Sequence, residues 1–428
     1  MSKKISGALA LLTIFCFAAG SFLPKGHAQT GAASPARHAA IVSTTAAVLK
    51  ETSELRELSI LKDVKSGAQS RDDIQRMIVK NLNDDTTPAE MHAAEVLLKV
   101  FGLAPKDFAY RSFLIKLLTE QVAGYYDPKV QEFYLADWIE LEGQKPVMAH
   151  ELTHALQDQH FNLKRFEKWP KGDSDAELAA HALIEGDATL AMTIYMAKNP
   201  MVALAFMRSL GSLASAQEQL ELAPRALKES LMFPYEEGST WATELYKRGG
   251  WEMVSKAFSK LPQSTEQIMH PDKYFAYEAP QKLTLPEFKA QLGPTWRRID
   301  SDVNGEWGLY LILDQFLKNQ AESRQAAAGW GGDHFALYET GRPEEVFVAQ
   351  ITAWDTPADA KEFFDAYAER TSKRYPQAKE SQTTERIDWN TETGGVVLEL
   401  RGSRVVIFEG IPKKTDADAL LRLIWQQG

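Results

Sequence analysis

The spacing of apolar residues predicts a chain that is helical first and rich in strands at its end. Helices are expected in "AAVLKETSELREL", "SRDDIQRMIVKNLN" and "TPAEMHAAEVLLKVFG", with Ser70 capping the second and Thr87 standing before Pro88 at the first turn of the third. A short strand near "LSILKDV" is expected to interrupt them. The pattern then changes in "VAGYYDPKVQEFYLADW", two β-rich runs around Asp127-Pro128, which reads as a hairpin. Helices follow at about 146–160 and 174–199, the second with Ser174 and Glu177 at capping-box spacing and Pro200 as its stop. Further helices are expected at 201–230, 239–260, 286–292 and 305–326.

The tail reads differently. "EEVFVAQITAW" has the character of a strand, "TPADAKEFFDAYAERTSKRY" of a helix with Pro357 in its first turn, "GGVVLELRGSRVVIFEG" of a hairpin, and "TDADALLRLIWQQ" of a closing helix. "GWGGDHF" lacks the strand-to-helix context of a phosphate loop and is expected to be a tight interdomain turn. The tail tryptophans Trp330, Trp354, Trp389 and Trp425 are expected in the core. The fold class is therefore α+β: a helical region at 41–118, a mostly helical central domain with a small antiparallel sheet at 119–328, and a small α+β domain at 329–428.

A length of 428 residues suits more than one structural unit, and the net charge of −10 without a basic cluster argues against a nucleic-acid surface. At the N-terminus, Lys3 and Lys4 precede an apolar run and a small-x-small site ends at Ala28, so 1–28 reads as a secretory signal and 29–40 as a flexible leader. An uncleaved single anchor is the alternative. Cleavage removes three lysines, no acid and the only cysteine, Cys16, taking the charge from −10 to −13 and leaving no thiol.

The chemistry concentrates in "HELTH", residues 150–154. Positions four apart share a helix face, so His150 and His154 can converge on one metal ion, while Glu151, about 100° round the helix, can reach the metal's water as general base. A catalytic zinc site needs a third protein ligand. Glu185 is the candidate: it lies among Ala182, Leu183, Ile184 and Ala188, where an unpaired charge is costly, and Gly186 beside it weakens a helix in a way that suggests a close neighbour. His181, one turn earlier, is the competing ligand. Asp158, one turn after His154, is either an orienter of an imidazole or a solvated carboxylate.

With a glutamate in an "EG-D-A" context on a second helix, this motif resembles the gluzincin class of zinc metallopeptidases. The wider run "GYYDPKVQEFYL", "HELTHALQDQ", "ALIEGDAT", "FPYEEGSTWATELYKRGGW" and "PQSTEQIMHPDKY" resembles a group of secreted bacterial and archaeal zincin-like proteins over about 50–428. The resemblance implies a zincin-like central domain, Zn2+ held by His150, His154 and Glu185, and Glu151 as base and proton shuttle. One departure stands out: the class often has an acid four residues after the ligand glutamate, where this chain has Thr189, and Asp187 lies only two residues on.

A peptidase also needs a donor for its oxyanion, for which Tyr235, His270 and Tyr274 are candidates. The segment "VQEFYLAD" is expected either as an edge strand that receives an extended peptide or as a structural hairpin under the motif helix. The expected function is a secreted zinc metallopeptidase acting on a peptide or protein, with no nucleic-acid partner and no membrane contact beyond an uncleaved anchor. A catalytically inactive scaffold of the same fold, serving as an extracytoplasmic binding module, is the alternative.

Overall fold

The computed structural model describes residues 35–426 apart from 139, 167, 168, 170, 171 and 210–220. The expected signal at 1–28 lies outside the described residues. Only 29–34 of the expected leader do so, because the first helix, α1, runs Pro35–Arg56 and already occupies the rest.

The N-terminal region continues with β1 (Lys65–Gln69), α2 (Arg71–Asp85), α3 (Pro88–Val100) and α4 (Tyr110–Gln121). Ser70 and Thr87 cap α2 and α3 as expected, each in a reciprocal capping box with the acid three residues on. The strand expected near 58–64 instead begins at Lys65, in the polar sequence "KSGAQ".

Next come β2 (Gly124–Asp127) and β3 (Glu132–Ala136), the expected hairpin. β1 adds to it in parallel, giving the order β1-β3-β2. "VQEFYLAD" therefore contributes the central strand, and the edge expected of it belongs to β2.

Two long helices make the centre: α5 (Leu141–Phe161) and α6 (Ser174–Lys198). α5 is buried on all faces from Pro146 to Asp158 and α6 from Ser174 to Ala188, so neither shows a polar stripe there. The cap of α6 is Asp173 and not Ser174, whose hydroxyl and amide bind the Asp302 carboxylate instead. α7 (Pro200–Ser209) and the long α8 (Arg225–Ala257) follow. α8 runs through the gap expected between helices at 201–230 and 239–260, and breaks instead at Gly249 and Gly250, the latter at φ +63°, inside the second of them. Short helices α9 (Thr265–Met269), α10 (Pro271–Ala276) and α11 (Lys289–Leu292) lead to the C-terminal sheet.

That sheet has seven strands in the order β4-β5-β6-β10-β9-β8-β7, every neighbouring pair antiparallel. Its strands are β4 (Arg297–Asp302), β5 (Trp330–Glu339), β6 (Val346–Trp354), β7 (Lys379–Gln382), β8 (Arg386–Thr391), β9 (Gly394–Arg401) and β10 (Arg404–Ile411). Helices α12 (Gly305–Leu317), α13 (Gln320–Ala327), α14 (Pro357–Arg374) and α15 (Ala417–Trp425) accompany it. Because β4 pairs with β5, the C-terminal unit begins upstream of the boundary expected at 328. The "GWGGDHF" segment is the start of β5 and not a turn; its glycines admit the Gln281 backbone, which binds Gly331 at 2.7 Å.

The packing explains why these pieces hold one arrangement. A main apolar core runs unbroken from α2 and α3 through α6 and α8 to one face of the large sheet. A second core fills the sheet's other face under α15, and a third joins α1, the small sheet and α5. Trp330, Trp354 and Trp389 are buried and Trp425 packs at the edge of the second core, as expected. No single helix among the described residues is long and apolar enough to cross a membrane.

Candidate metal centre

α5 and α6 lie side by side and bring three expected residues together. His150 Nε2 is 3.0 Å from Glu185 Oε2, His154 Nε2 is 3.3 Å from the same oxygen, and the two imidazole nitrogens are 3.1 Å apart. All three side chains are buried, and they form a group that could hold a metal ion. The remaining protein groups reinforce their orientation.

Glycines set the spacing of the helices. A Cβ on Gly186 would stand 2.2 Å from the Gly238 carbonyl oxygen, and one on Gly238 would stand 2.4 Å from the Ala182 carbonyl oxygen. The close approach suggested by Gly186 is therefore α8. One helical turn before Gly238, α8 carries Tyr235, whose ring stacks on His150 with centroids 6.2 Å apart.

The charges follow from burial and proximity. Burial opposes ionisation of Glu185, but the two imidazoles outweigh it and hold the carboxyl down at about 2. Burial also opposes a charge on His154, and Glu185 overcomes it, lifting His154 to about 9; His150, dominated by burial, moves down. Glu151 is pushed up to about 8 by burial. One of its oxygens, Oε2, accepts the Tyr126 N–H at 2.8 Å, and the other, Oε1, is buried with no hydrogen-bond partner among the described residues. Two nitrogens, one carboxylate oxygen and an adjacent unpartnered carboxylate oxygen fit a metal ion carrying a water.

The Tyr126 contact also shows which way the outer edge of β2 is turned. Ala136 N–H binds Ala123 O, so alternate residues on β2 face β3 while Gly124 and Tyr126 turn their backbone groups the other way, toward α5.

The other candidates fall elsewhere. His181 is buried one turn from Glu185, is pushed down to about 4 by burial, and is not part of the converging group. Asp158 binds the Tyr126 hydroxyl, Gln131 and the Leu163 amide, so it ties α5 to its surroundings without touching an imidazole. His270 pairs with Glu306 at 2.8 Å beside the Glu266–Lys273–Asp355 cluster, and Tyr274 packs on Trp241 with its hydroxyl on Lys260 O. The structure therefore places Tyr235 at the converging ligands and gives His270 a carboxylate partner of its own.

Sequence reasoning missed two contributors, Gln157 and Arg56, and noted Asp187 only for its spacing from Glu185. Gln157 binds His154 Nδ1 at 2.8 Å, Asp187 binds Gln157, and Arg56 binds Asp187. Gln157, three residues after a ligand on the same helix, was findable from spacing; Arg56, 131 positions from Asp187, carried no local signal.

Compared with known families, residues 292–421 match a domain of unknown function (DUF8575). The matched segment spans the seven-stranded sheet and most of its helices, and begins after every residue of the metal centre. No curated protein and no solved structure gives a significant match to the chain.

Proposed function

We propose that the protein is a zinc-dependent metallopeptidase. The observation that carries the reading is the convergence of His150, His154 and Glu185 within 4.8 Å of one another. Around a tetrahedral zinc with ligands at about 2.0–2.1 Å, neighbouring donor atoms stand roughly 3.3 Å apart, and the three separations here are 3.0, 3.1 and 3.3 Å. A zinc ion bound there supplies a Lewis acid that polarises a carbonyl and makes its water acidic near neutral pH.

The chain's own groups do the rest. Glu151 Oε1 accepts the proton of the attacking water and later delivers it to the departing amine. Tyr126 N–H holds the other oxygen of that carboxylate, which fixes its direction. Tyr235, whose ring stacks on His150, is the candidate oxyanion donor beside the converging ligands. The export signal read in residues 1–28 belongs to the same proposal and puts the enzyme outside the cytoplasm.

A peptide-library cleavage assay on the zinc-loaded chain tests the proposal against Glu151→Gln. Cleavage by the wild type that disappears in the variant supports it. Zinc binding without cleavage of any peptide returns the inactive-scaffold alternative.

A further inference from the structure

We propose that Arg56, the last residue of α1, is a positioning residue for the metal ligand His154, acting through Asp187 and Gln157. The inference rests on the zinc reading above.

The four side chains form one buried line, each fully excluded from solvent. Arg56 grips Asp187 with two bonds, Nε to Oδ1 at 2.5 Å and Nη2 to Oδ2 at 3.1 Å. Asp187 Oδ2 also accepts Gln157 Nε2 at 2.8 Å, and the same amide nitrogen binds Ile184 O at 3.0 Å. Both of these partners only accept hydrogen bonds. The amide must therefore present its NH2 to them and turn its oxygen to His154 Nδ1, 2.8 Å away. An amide oxygen facing Nδ1 requires the proton there, so the lone pair that a neutral His154 offers a metal lies on Nε2, the atom that faces His150 and Glu185.

Arg56 is what keeps that logic in place. Its guanidinium lies over Trp251 at 4.5 Å and binds Ser255 Oγ at 3.1 Å, so α8 clamps the plane of the fork. The fork in turn fixes the plane of the Asp187 carboxylate and with it the direction of the Gln157 amide. A buried ion pair contributes little net stability, and its clearest use is to enforce one geometry. Thr189, four residues after Glu185, offers no carboxylate to an imidazole. The work of orienting an imidazole passes instead to a relay that ends on the N-terminal helix, which makes α1 an integral part of the metal centre.

The test measures zinc affinity of the full chain by chelator competition, with the visible spectrum of the Co2+-substituted protein as a second readout. Gln157→Leu, which cuts the relay at the imidazole, is expected to weaken zinc binding about 10- to 100-fold, and Arg56→Lys about tenfold. Arg56→Lys added to Gln157→Leu is expected to cost nothing more, because the path it acts through is already cut. A wild-type affinity in Arg56→Lys, or the same loss in both backgrounds, would overturn the relay and leave Arg56 a packing residue. Asp187→Asn, read in the same two backgrounds, answers the question if Arg56→Lys does not fold. A wild-type chain that takes up no zinc removes the underlying reading, and the relay with it.

Discussion

Replacing Gly186 by alanine tests whether backbone contact between α6 and α8 sets the metal centre. At an open helical position the change stabilises by about 1 kcal/mol, because alanine is the better helix former. Here the new Cβ would lie 2.2, 2.3 and 2.9 Å from the Gly238 carbonyl oxygen, carbon and Cα, and all three belong to backbone that cannot swing aside. An ordinary contact of about 3.3 Å requires the helices to part by roughly 1 Å, and overpacking of this kind costs up to about 3 kcal/mol. The net expectation is a loss of about 2 kcal/mol, opposite in sign to the propensity effect. Since α6 carries Glu185 and α8 carries Tyr235, zinc affinity should fall as well. Gly238→Ala, with its Cβ 2.4 Å from the Ala182 carbonyl oxygen, should behave alike. Urea unfolding of the metal-free chain and chelator competition provide the two readings. A Gly186→Ala protein at least as stable as the wild type, with unchanged zinc affinity, would refute the argument.

Two further outcomes are expected. Glu151→Gln should keep zinc binding within a few-fold while peptide turnover falls by about 10²- to 10⁴-fold, and His150→Ala should lose the metal itself; kinetics beside metal analysis separate the two. Glu409, buried on β10 against Arg370, Arg374 and Tyr367, is held below the ordinary carboxylate range, the two arginines outweighing the opposing effect of burial. A depressed value means that its ionisation stabilises the fold above about pH 4.5 and ceases to do so as the pH falls through the folded value. Glu409→Gln should therefore cost about 3–5 kcal/mol at pH 7, with a gap to the wild type that narrows below about pH 4.5. Urea unfolding at both pH values reads it, and a gap that does not change with pH would contradict the assignment.

Local features of the sequence were readable because their physics is local. The His150–His154 spacing needs only helix geometry, Glu185 announces itself as a charge among apolar neighbours, and the caps at Ser70 and Thr87 act within three residues. What escaped depends on distant partners. β1 and β4, "KSGAQ" and "RRIDSD", have no apolar alternation and become strands through pairing with β3 and β5. Their addition makes β3 central and moves the boundary of the C-terminal unit upstream of 328. The glycines before Phe335 resembled a turn because the Gln281 backbone that they admit lies about fifty residues earlier in the chain. Arg56 belongs to the same class, a residue unremarkable in its own helix whose role is set by Asp187 and Gln157.

Metal analysis of the purified chain beside Glu185→Ala tests the central claim most directly. The account predicts one zinc per wild-type chain, lost or greatly weakened in the variant, since Glu185 Oε2 is the oxygen on which both histidines converge. A wild type that holds no zinc after reconstitution, or a variant that holds it equally well, would contradict it.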